Sequence, residues 1–246
     1  MEQPSIKVSV WPLEGKGKLL ANARVIIGDA ISVYPIRVID GKSGYFLGMP
    51  QVPDRDGERR DVFFPINQDA RKILTDAVVK TYRRDRPMYR EYPSPEPFRP
   101  EITVRPFRDS IHDLMGYASI VINGMFRIEN VRLYQGENGK HMVLFPEHGY
   151  RDEGEFVWKD IFEFKHDWEK KLKDGIREGY DTICAKAKQD RIRIARGEIE
   201  GKLSYDELME LRLQRESERR RAAREKELSE TMACDEPIEE EVAVIQ

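Results

Sequence analysis

The chain has 246 residues, with 42 lysines and arginines against 45 aspartates and glutamates, so its formal net charge is -3. This length allows one large domain or two small ones, and the core needs no disulfide or metal to support it. The near-neutral balance argues against a histone-like or ribosomal-type basic protein. No run approaches the roughly 18 apolar residues of a membrane-spanning helix, and the N-terminus lacks a secretory pattern. We therefore expect a cytoplasmic protein with no membrane partner.

The charge is distributed unevenly along the chain. Residues 1–100 carry 17 basic and 13 acidic side chains, whereas residues 233–246 carry five acids and no base. The first segment is therefore mildly basic, and the acidic tail is predicted to be disordered. The two cysteines, Cys184 and Cys234, lie far apart in the sequence and favour a reducing compartment.

The first segment, residues 1–84, has the pattern of strands followed by a helix. Ala23, Val25 and Ile27 alternate with polar residues, which is typical of a half-buried strand. Asn67 is predicted to cap a helix. The apolar face of this helix holds Ala70, Ile73, Leu74, Ala77, Val78 and Tyr82.

Residues 85–100 contain five of the chain's 14 prolines. Proline has no backbone donor and restricts the residue before it, so neither a helix nor a sheet is expected to run through this segment. The composition predicts an extended, semi-rigid linker.

Residues 101–180 repeat the pattern of the first segment in a weaker form. The hairpin signals Gly28-Asp29 and Asn123-Gly124 lie 95 residues apart. We interpret the similarity as a duplication, the alternative being that two α+β segments coincide by chance. The other matching positions are Ala23, Val25, Ile27, Ile36, Arg37, Val38, Gly41 and Gly44 with Ala118, Ile120, Ile122, Val131, Arg132, Leu133, Gly136 and Gly139.

The predicted fold class is α+β, with two repeated units and a charged helical extension. Each unit is expected to be an antiparallel β-meander of about five strands with one C-terminal amphipathic helix. The second helix has Phe164, Trp168, Leu172, Ile176 and Tyr180 at a spacing of four residues. The predicted boundaries are 1–84 for the first unit, 85–100 for the linker, 101–180 for the second unit, 181–232 for the extension and 233–246 for the tail.

The extension begins with a capping box, Ser204 followed three residues later by Glu207. Its arginines alternate with glutamates, which favours a solvated, salt-bridged helix, although arginines 215, 219, 220, 221 and 224 could also contact phosphates. Large apolar residues stop after Leu213, so a long coiled coil is not predicted.

Enzymatic motifs are absent from the sequence. The four histidines, at 112, 141, 148 and 166, have no metal-binding spacing. The segment Glu14–Lys18 resembles a phosphate loop, but Leu19 stands where a hydroxyl residue is required. We expect no enzyme activity, catalytic residue, metal, cofactor or small-molecule substrate.

The stretch Val38–Tyr82 resembles the stage V sporulation protein G (SpoVG, septation protein) family. In that family a Val-Ile-Asp-Gly turn leads to a Gly-x-Phe-x-x-Met-Pro strand, then to an Asp-Ile/Val-x-x-Pro-Ile segment and an amphipathic helix. The first unit departs from the family pattern at Gln51 and Phe64. The matching positions here are Val38, Ile39, Asp40, Gly41, Gly44, Phe46, Met49, Pro50, Asp61, Val62, Pro65 and Ile66.

The resemblance implies a small bacterial cytoplasmic protein with a twisted antiparallel sheet and a helix, which dimerises through its sheet. The family is associated with sporulation, septation and gene regulation, and with binding DNA and RNA. This chain resembles two such subunits fused. Pairing of sheet edges would then form an intramolecular pseudo-dimer or a homo-oligomer.

Basic residues at the end of the first helix are the candidate nucleic-acid contacts, because family members bind through this region. Arginines neutralise phosphates, and the neighbouring tyrosines can stack on bases. The alternative is that these cations only complement the helix dipole. Tyr180-Asp181-Thr182 in the second unit lacks the arginines, so binding is predicted to be asymmetric. The candidates are Arg83, Arg84, Arg86 and Arg90, with Arg71 and Lys72 on the helix flank.

The leading functional prediction is a regulatory protein that binds DNA or RNA. The alternative is a non-enzymatic structural or adaptor protein of cell division or sporulation, with the charged helix as its docking surface.

Overall fold

A computed structural model describes residues 3–15, 17–54, 56–83, 89–107, 113–136, 141–152 and 155–233. The chain divides into two bodies, Met1–Ile183 and Cys184–Gln246, called here the larger and the smaller body. Within the larger body we distinguish a first half, residues 1–84, from a second half, residues 101–183.

The elements follow in chain order. The first half contains strands β1 (Ile6–Pro12), β2 (Leu19–Ile27), β3 (Ile31–Gly41), β4 (Gly44–Gly48), β5 (Gln51–Pro53), β6 (Arg59–Asp61) and β7 (Phe63–Pro65), then helix α1 (Gln68–Tyr82). Strand β8 (Tyr89–Tyr92) comes next. The second half contains β9 (Pro100–Pro106), β10 (Leu114–Ile122), β11 (Phe126–Tyr134), β12 (Met142–Leu144), β13 (Glu147–Asp152), β14 (Glu155–Asp160) and β15 (Phe162–Phe164). Helix α2 (Trp168–Ala195) follows, and helix α3 (Tyr205–Ala233) lies in the smaller body.

Two antiparallel sheets form the larger body. The first has the order β15-β3-β2-β1-β8, with β4 also paired to β3. The second has the order β12-β11-β10-β9, with β7 also paired to β11. Two hairpins, β5 with β6 and β13 with β14, stand apart from these sheets.

Each sheet includes one strand from the other half of the chain. Strand β7 pairs with β11, placing Phe63 opposite Ile128. Strand β15 pairs with β3, placing Phe162 opposite Val33. The halves therefore exchange one short strand in each direction.

Backbone hydrogen bonds flank both exchanged strands in the same way. The N–H of Glu129 donates to the carbonyl of Val62 at 2.9 Å, and the N–H of Tyr34 donates to the carbonyl of Ile161 at 2.9 Å. Because a buried backbone donor must find a partner, these bonds help to fix the register of the exchange.

The core follows the alternation in the sequence. In β2 the alternate residues Ala21, Ala23, Val25 and Ile27 are all fully buried. Strand β10 has the same alternating burial over nine residues. Burying one face of each sheet is the main apolar contribution to stability, because apolar surface leaves water there.

The predicted α+β class is confirmed by the antiparallel sheets and the helices. Both predicted hairpin turns have positive φ angles, with Asp29 at 53° and Asn123 at 50°. The cap at Asn67 is confirmed, since its side-chain oxygen accepts a hydrogen bond from the N–H of Ala70 at 2.8 Å. The duplication and the domain boundaries stay predictions.

One feature differs from the sequence-based expectations, and one extends them. The proline-rich segment contains β8, an edge strand that pairs with β1 over Tyr89–Tyr92, a stretch with no proline. The last apolar position noted for the second helix is Tyr180, and helix α2 continues to Ala195. Its charged residues are good helix formers, so nothing in the local sequence stops it.

The capping box at the start of α3 is confirmed. The N–H of Ser204 donates to the Glu207 carboxylate at 2.8 Å, and the N–H of Glu207 donates to the Ser204 hydroxyl at 3.3 Å. The pKa of Glu207 is lowered first by the bond from the Ser204 N–H and then by the Ser204 hydroxyl, which donates to the same carboxylate at 3.0 Å. Most of the acidic tail, from residue 234, lies outside the described residues. Within the described part of the chain, no helix is long and apolar enough to cross a membrane.

Candidate nucleic-acid interface

Helix α1 brings the first candidate residues to one end of the first sheet. Its buried face packs on β1, β4, β7 and β8. The helix ends at Tyr82, and Arg83 forms its C-cap with a backbone N–H that donates to the carbonyl of Val79. The cap therefore leaves the Arg83 side chain exposed at the helix end.

Strand β8 is attached to this helix end by a single acceptor. The carbonyl of Ala77 accepts hydrogen bonds from the Thr81 hydroxyl at 2.7 Å and from the Tyr92 hydroxyl at 3.0 Å. Because Tyr92 lies in β8, its bond holds the strand against α1. The two ends of the arginine-rich segment are thereby fixed next to the same helix.

Arg83 and Arg90 both lie over aromatic rings. The guanidinium carbon of Arg83 is 5.2 Å from the centroid of Tyr45, and that of Arg90 is 5.1 Å from the centroid of Tyr92. Neither arginine forms an ion pair with a described residue. Both cations are therefore available to an anion.

The other four predicted nucleic-acid contacts are not placed beside Arg83 and Arg90. Arg71 and Lys72 are exposed on α1, but the helical rise separates Lys72 from Arg83 by about 17 Å along the axis. Arg84 and Arg86 lie outside the described residues.

The tyrosines of the region have different surroundings. Tyr82 is half-buried and packs edge-on against Tyr45, with ring centroids 5.7 Å apart. Tyr89 is 48% exposed and is the tyrosine best able to stack on a base. Sequence reasoning missed Tyr45, because the sequence carries no signal that it lies beneath Arg83.

The second half offers a different arrangement near its helix. Arg177 in α2 donates to the Asp174 carboxylate at 2.7 Å and to the backbone carbonyl of His141 at 2.8 Å. His141 itself lies 3.6 Å from Asp181. The guanidinium of Arg177 is therefore bonded to a carboxylate and a carbonyl, whereas those of Arg83 and Arg90 lie over tyrosine rings.

Among the described residues, no group of histidine, cysteine, aspartate and glutamate side chains could hold a metal ion. The pKa of His148 is lowered, first by burial and then by the positive charges of Arg37 and Arg59. Cys184 is half-buried with a free thiol.

Comparison with known proteins assigns a family to the first part of the chain. Residues 2–84 match the family model SpoVG. The chain is 41% identical over 75 residues to a protein of Staphylococcus carnosus strain TM300 named for septation and SpoVG, an alignment that covers 30% of this chain and 70% of the relative. It is 39% identical over 75 residues to proteins of the same name from Staphylococcus aureus strain JH9 and Staphylococcus haemolyticus strain JCSC1435, covering 30% of this chain and 75% of each relative.

Proposed function

This chain belongs to the SpoVG septation family, and on that premise we propose that it is a cytoplasmic regulatory protein that binds DNA or RNA. Binding is non-covalent and uses the end of α1 and strand β8. The contacts with phosphate come from Arg83 and Arg90, and Arg84 and Arg86, which lie outside the described residues, remain candidates from the sequence.

One observation carries this proposal. Arg83 and Arg90 flank the segment between α1 and β8, and neither guanidinium has a carboxylate partner among the described residues. Arg83 is exposed and Arg90 is half-buried. Arginines without a carboxylate partner can replace the counterions of a phosphate backbone. Tyr89 precedes Arg90 in β8 and, because side chains alternate along a strand, its exposed ring offers a stacking surface on the other face of the sheet.

The strand exchange between the halves supports a further part of the proposal. We interpret the larger body as a pseudo-dimer of two SpoVG-like units in one chain. In that case only the first unit keeps free arginines at its helix end, so nucleic acid binds on one side.

The test measures binding of a labelled single-stranded and a labelled double-stranded oligonucleotide to the full chain across a salt series. Replacing both Arg83 and Arg90 by glutamine is expected to weaken binding about tenfold or more. If both arginines contact phosphates, the slope of log K against log salt falls by about 2. The matched control is the Arg212→Gln, Arg215→Gln double variant on α3, which removes the same charge from exposed positions.

The control also tests where the phosphates bind. Affinity that falls in the α3 variant and not in the Arg83 and Arg90 variant would overturn the proposed site. Absent or salt-independent binding by the wild-type chain would overturn the function.

The alternative function is that of an adaptor in division or sporulation. It is favoured by exposed apolar side chains on α3, where Leu213 is 62% exposed and Leu208 and Met209 are also accessible. A chain that binds no nucleic acid and loses a protein partner when Leu213 is changed to Ser would support this alternative.

A further inference from the structure

A groove of about 940 Å³ lies in the larger body, away from the end of α1. Its floor is the outer face of β9, β10 and β11, and one wall is the hairpin of β5 and β6. The volume falls within the range of about 300–1,000 Å³ that is typical of ligand sites.

The floor of the groove carries a row of three side chains on adjacent strands. Tyr117 in β10 is register-paired with Arg105 in β9 and with Arg132 in β11. Directly opposed residues of antiparallel strands point to the same face and lie roughly 5 Å apart. An aromatic ring therefore lies between two guanidinium groups across the floor.

The acidic side chains of the groove already have partners. Asp54 binds Arg60 at 2.6 Å, Asp61 accepts from Gln51 at 2.7 Å, and Glu129 lies 3.4 Å from Arg127. By contrast, Arg105 and Arg132 form no ion pair with a described residue. The two cations left over in the groove would attract an anion.

Further groups complete the floor. The ring of Phe107 lies 6.4 Å from that of Tyr117, and the hydroxyl of Tyr134 lies 3.5 Å from Nη1 of Arg132. Thr103 and Ser119 add hydroxyls at paired positions of β9 and β10. The floor thus combines aromatic surface, cations and neutral hydrogen-bonding groups.

The first sheet uses its corresponding face differently. There Arg24 binds Glu163 at 3.0 Å, and Tyr34 is covered by Arg24 at 5.7 Å, Lys159 at 5.3 Å and the ring of Trp11 at 6.1 Å. The ring of Tyr34 is therefore already in contact with three side chains of the same chain. Arg37, the counterpart of Arg132, also forms no ion pair with a described residue, but it is register-paired with Asn22. Of these two described surfaces, the second is the one that places a tyrosine between two such arginines.

We propose that the groove binds a nucleotide, with its phosphate on Arg105 and Arg132 and its base stacked on Tyr117. Guanidinium groups form charge-assisted, often bidentate hydrogen bonds to phosphate, and an aromatic ring accepts any unpaired base. The nucleotide is a segment of single-stranded nucleic acid or a free mononucleotide, and the two sources share this chemistry. Where the groove is a second contact for nucleic acid, its assignment rests on the proposed function.

The test uses the full chain and a labelled 12-nucleotide single-stranded RNA, with AMP as a competitor. Tyr117→Ala and the Arg105→Gln, Arg132→Gln double variant are each expected to weaken binding about tenfold. Tyr117→Phe keeps the ring and should stay within about twofold of wild type. The matched control is Asn22→Ala, which lies 95 residues before Tyr117 at the corresponding position in β2.

Photocrosslinking locates the contact independently of affinity. An RNA carrying 4-thiouridine should crosslink to the peptide that contains Tyr117, also in the Arg83→Gln, Arg90→Gln background. Competition by AMP would identify a mononucleotide site, whereas RNA binding without AMP competition would identify a strand; both results support the groove.

The inference is overturned if Tyr117→Ala binds as tightly as Asn22→Ala and no crosslink maps to β9, β10 or β11. If the Arg83 and Arg90 variant loses binding in that same experiment, the proposed function stands and only the groove fails. If the groove variants lose binding and the Arg83 and Arg90 variant does not, the groove stands and the proposed interface fails. A wild-type chain that binds neither RNA nor AMP overturns both.

Discussion

The two sheets of the larger body differ in what covers the strand at the same edge, which is β1 in the first sheet and β9 in the second. In the first half, β8 pairs with β1, and the hydroxyl of Tyr92 binds α1. In the second half, β9 is the last strand of its sheet among the described residues, and α2 approaches it through glycines. A Cβ atom added at Gly175 would lie 2.8 Å from Ile102, and one at Gly179 would lie 3.2 Å from Val104.

This difference indicates what each half can offer to a ligand. Strand β8 brings Arg90 and Tyr92 to the face that packs on α1, where Arg83 caps the helix. The outer face of the second sheet instead carries Arg105 and Arg132, which form no ion pair with a described residue. Similar strand orders therefore support different surfaces.

The largest expected effect is on stability, and its measurement compares how much the exchanged strands β7 and β15 each contribute to the free energy of unfolding. Phe63 of β7 is fully buried and stacks on Phe126 at 5.8 Å, while Phe162 of β15 is nearly buried and lies 6.1 Å from Phe145. Phe63→Ala and Phe162→Ala should each lower the free energy of unfolding by about 3–5 kcal/mol, because each leaves a cavity. Urea unfolding of the full chain measures this loss.

Phe46→Ala is the control for these two variants. Its ring is 50% exposed, so the loss should be about 1 kcal/mol or less. A loss as small as this for Phe63→Ala or Phe162→Ala would show that the corresponding exchanged strand adds little to stability.

A smaller effect is expected at β8, the edge strand that follows the first half and completes the first sheet. Tyr92→Phe removes the hydrogen bond to the carbonyl of Ala77 and should cost about 1 kcal/mol in the free energy of unfolding. Tyr89→Phe, in the same strand, should change stability by less than about 0.5 kcal/mol because its ring is exposed. Equal losses in the two variants would mean that the bond to α1 does not hold β8.

The smallest effect concerns the turn between β2 and β3. Asp29 accepts a hydrogen bond from Lys165 of the second half at 3.0 Å, and its pKa is lowered mainly by that bond, against the effect of burial. A lowered pKa means that the ionised carboxylate stabilises the fold above its unfolded value of about 3.9, and that this contribution is lost as the pH falls through the folded pKa. Asn tolerates the positive φ of 53° at this position.

Asp29→Asn should therefore lower the free energy of unfolding by about 0.5 kcal/mol above about pH 5, since the pair is half exposed and screened. At a pH below the folded pKa of Asp29, the variant and the wild type should be equally stable. Asp76→Asn is the control, because Asp76 pairs only weakly with Lys80 of the same helix at 3.9 Å. Identical pH profiles for the two variants would contradict the role of the contact with Lys165.

Much of the fold was predictable from local patterns. The alternation in β2, the turns at Gly28-Asp29 and Asn123-Gly124, and the cap at Asn67 depend on neighbouring residues, and the structure confirms each of them. Strand β8 was missed because a four-residue strand between prolines forms only when a partner such as β1 is present. The apolar positions spaced by four end at Tyr180, so they carry no signal for the continuation of α2 to Ala195.

The candidate sites also divide into residues that local sequence indicated and residues that only the folded chain brings together. Arg83 and Arg90 were found because arginines cluster in the sequence near a predicted helix end. Tyr45 beneath Arg83 and the row of Arg105, Tyr117 and Arg132 had no sequence signal, because their members are distant in the chain.

By itself the sequence determined the α+β class, the family of the first half and the helix that carries its arginines, because motifs, periodicity and caps are local properties. Only the tertiary structure decided that β7 and β15 cross between the sheets and that the groove forms beside β5 and β6. Those arrangements depend on which strands pair with each other and on which charged side chains form ion pairs. Both are properties of residues that meet only after the chain has folded.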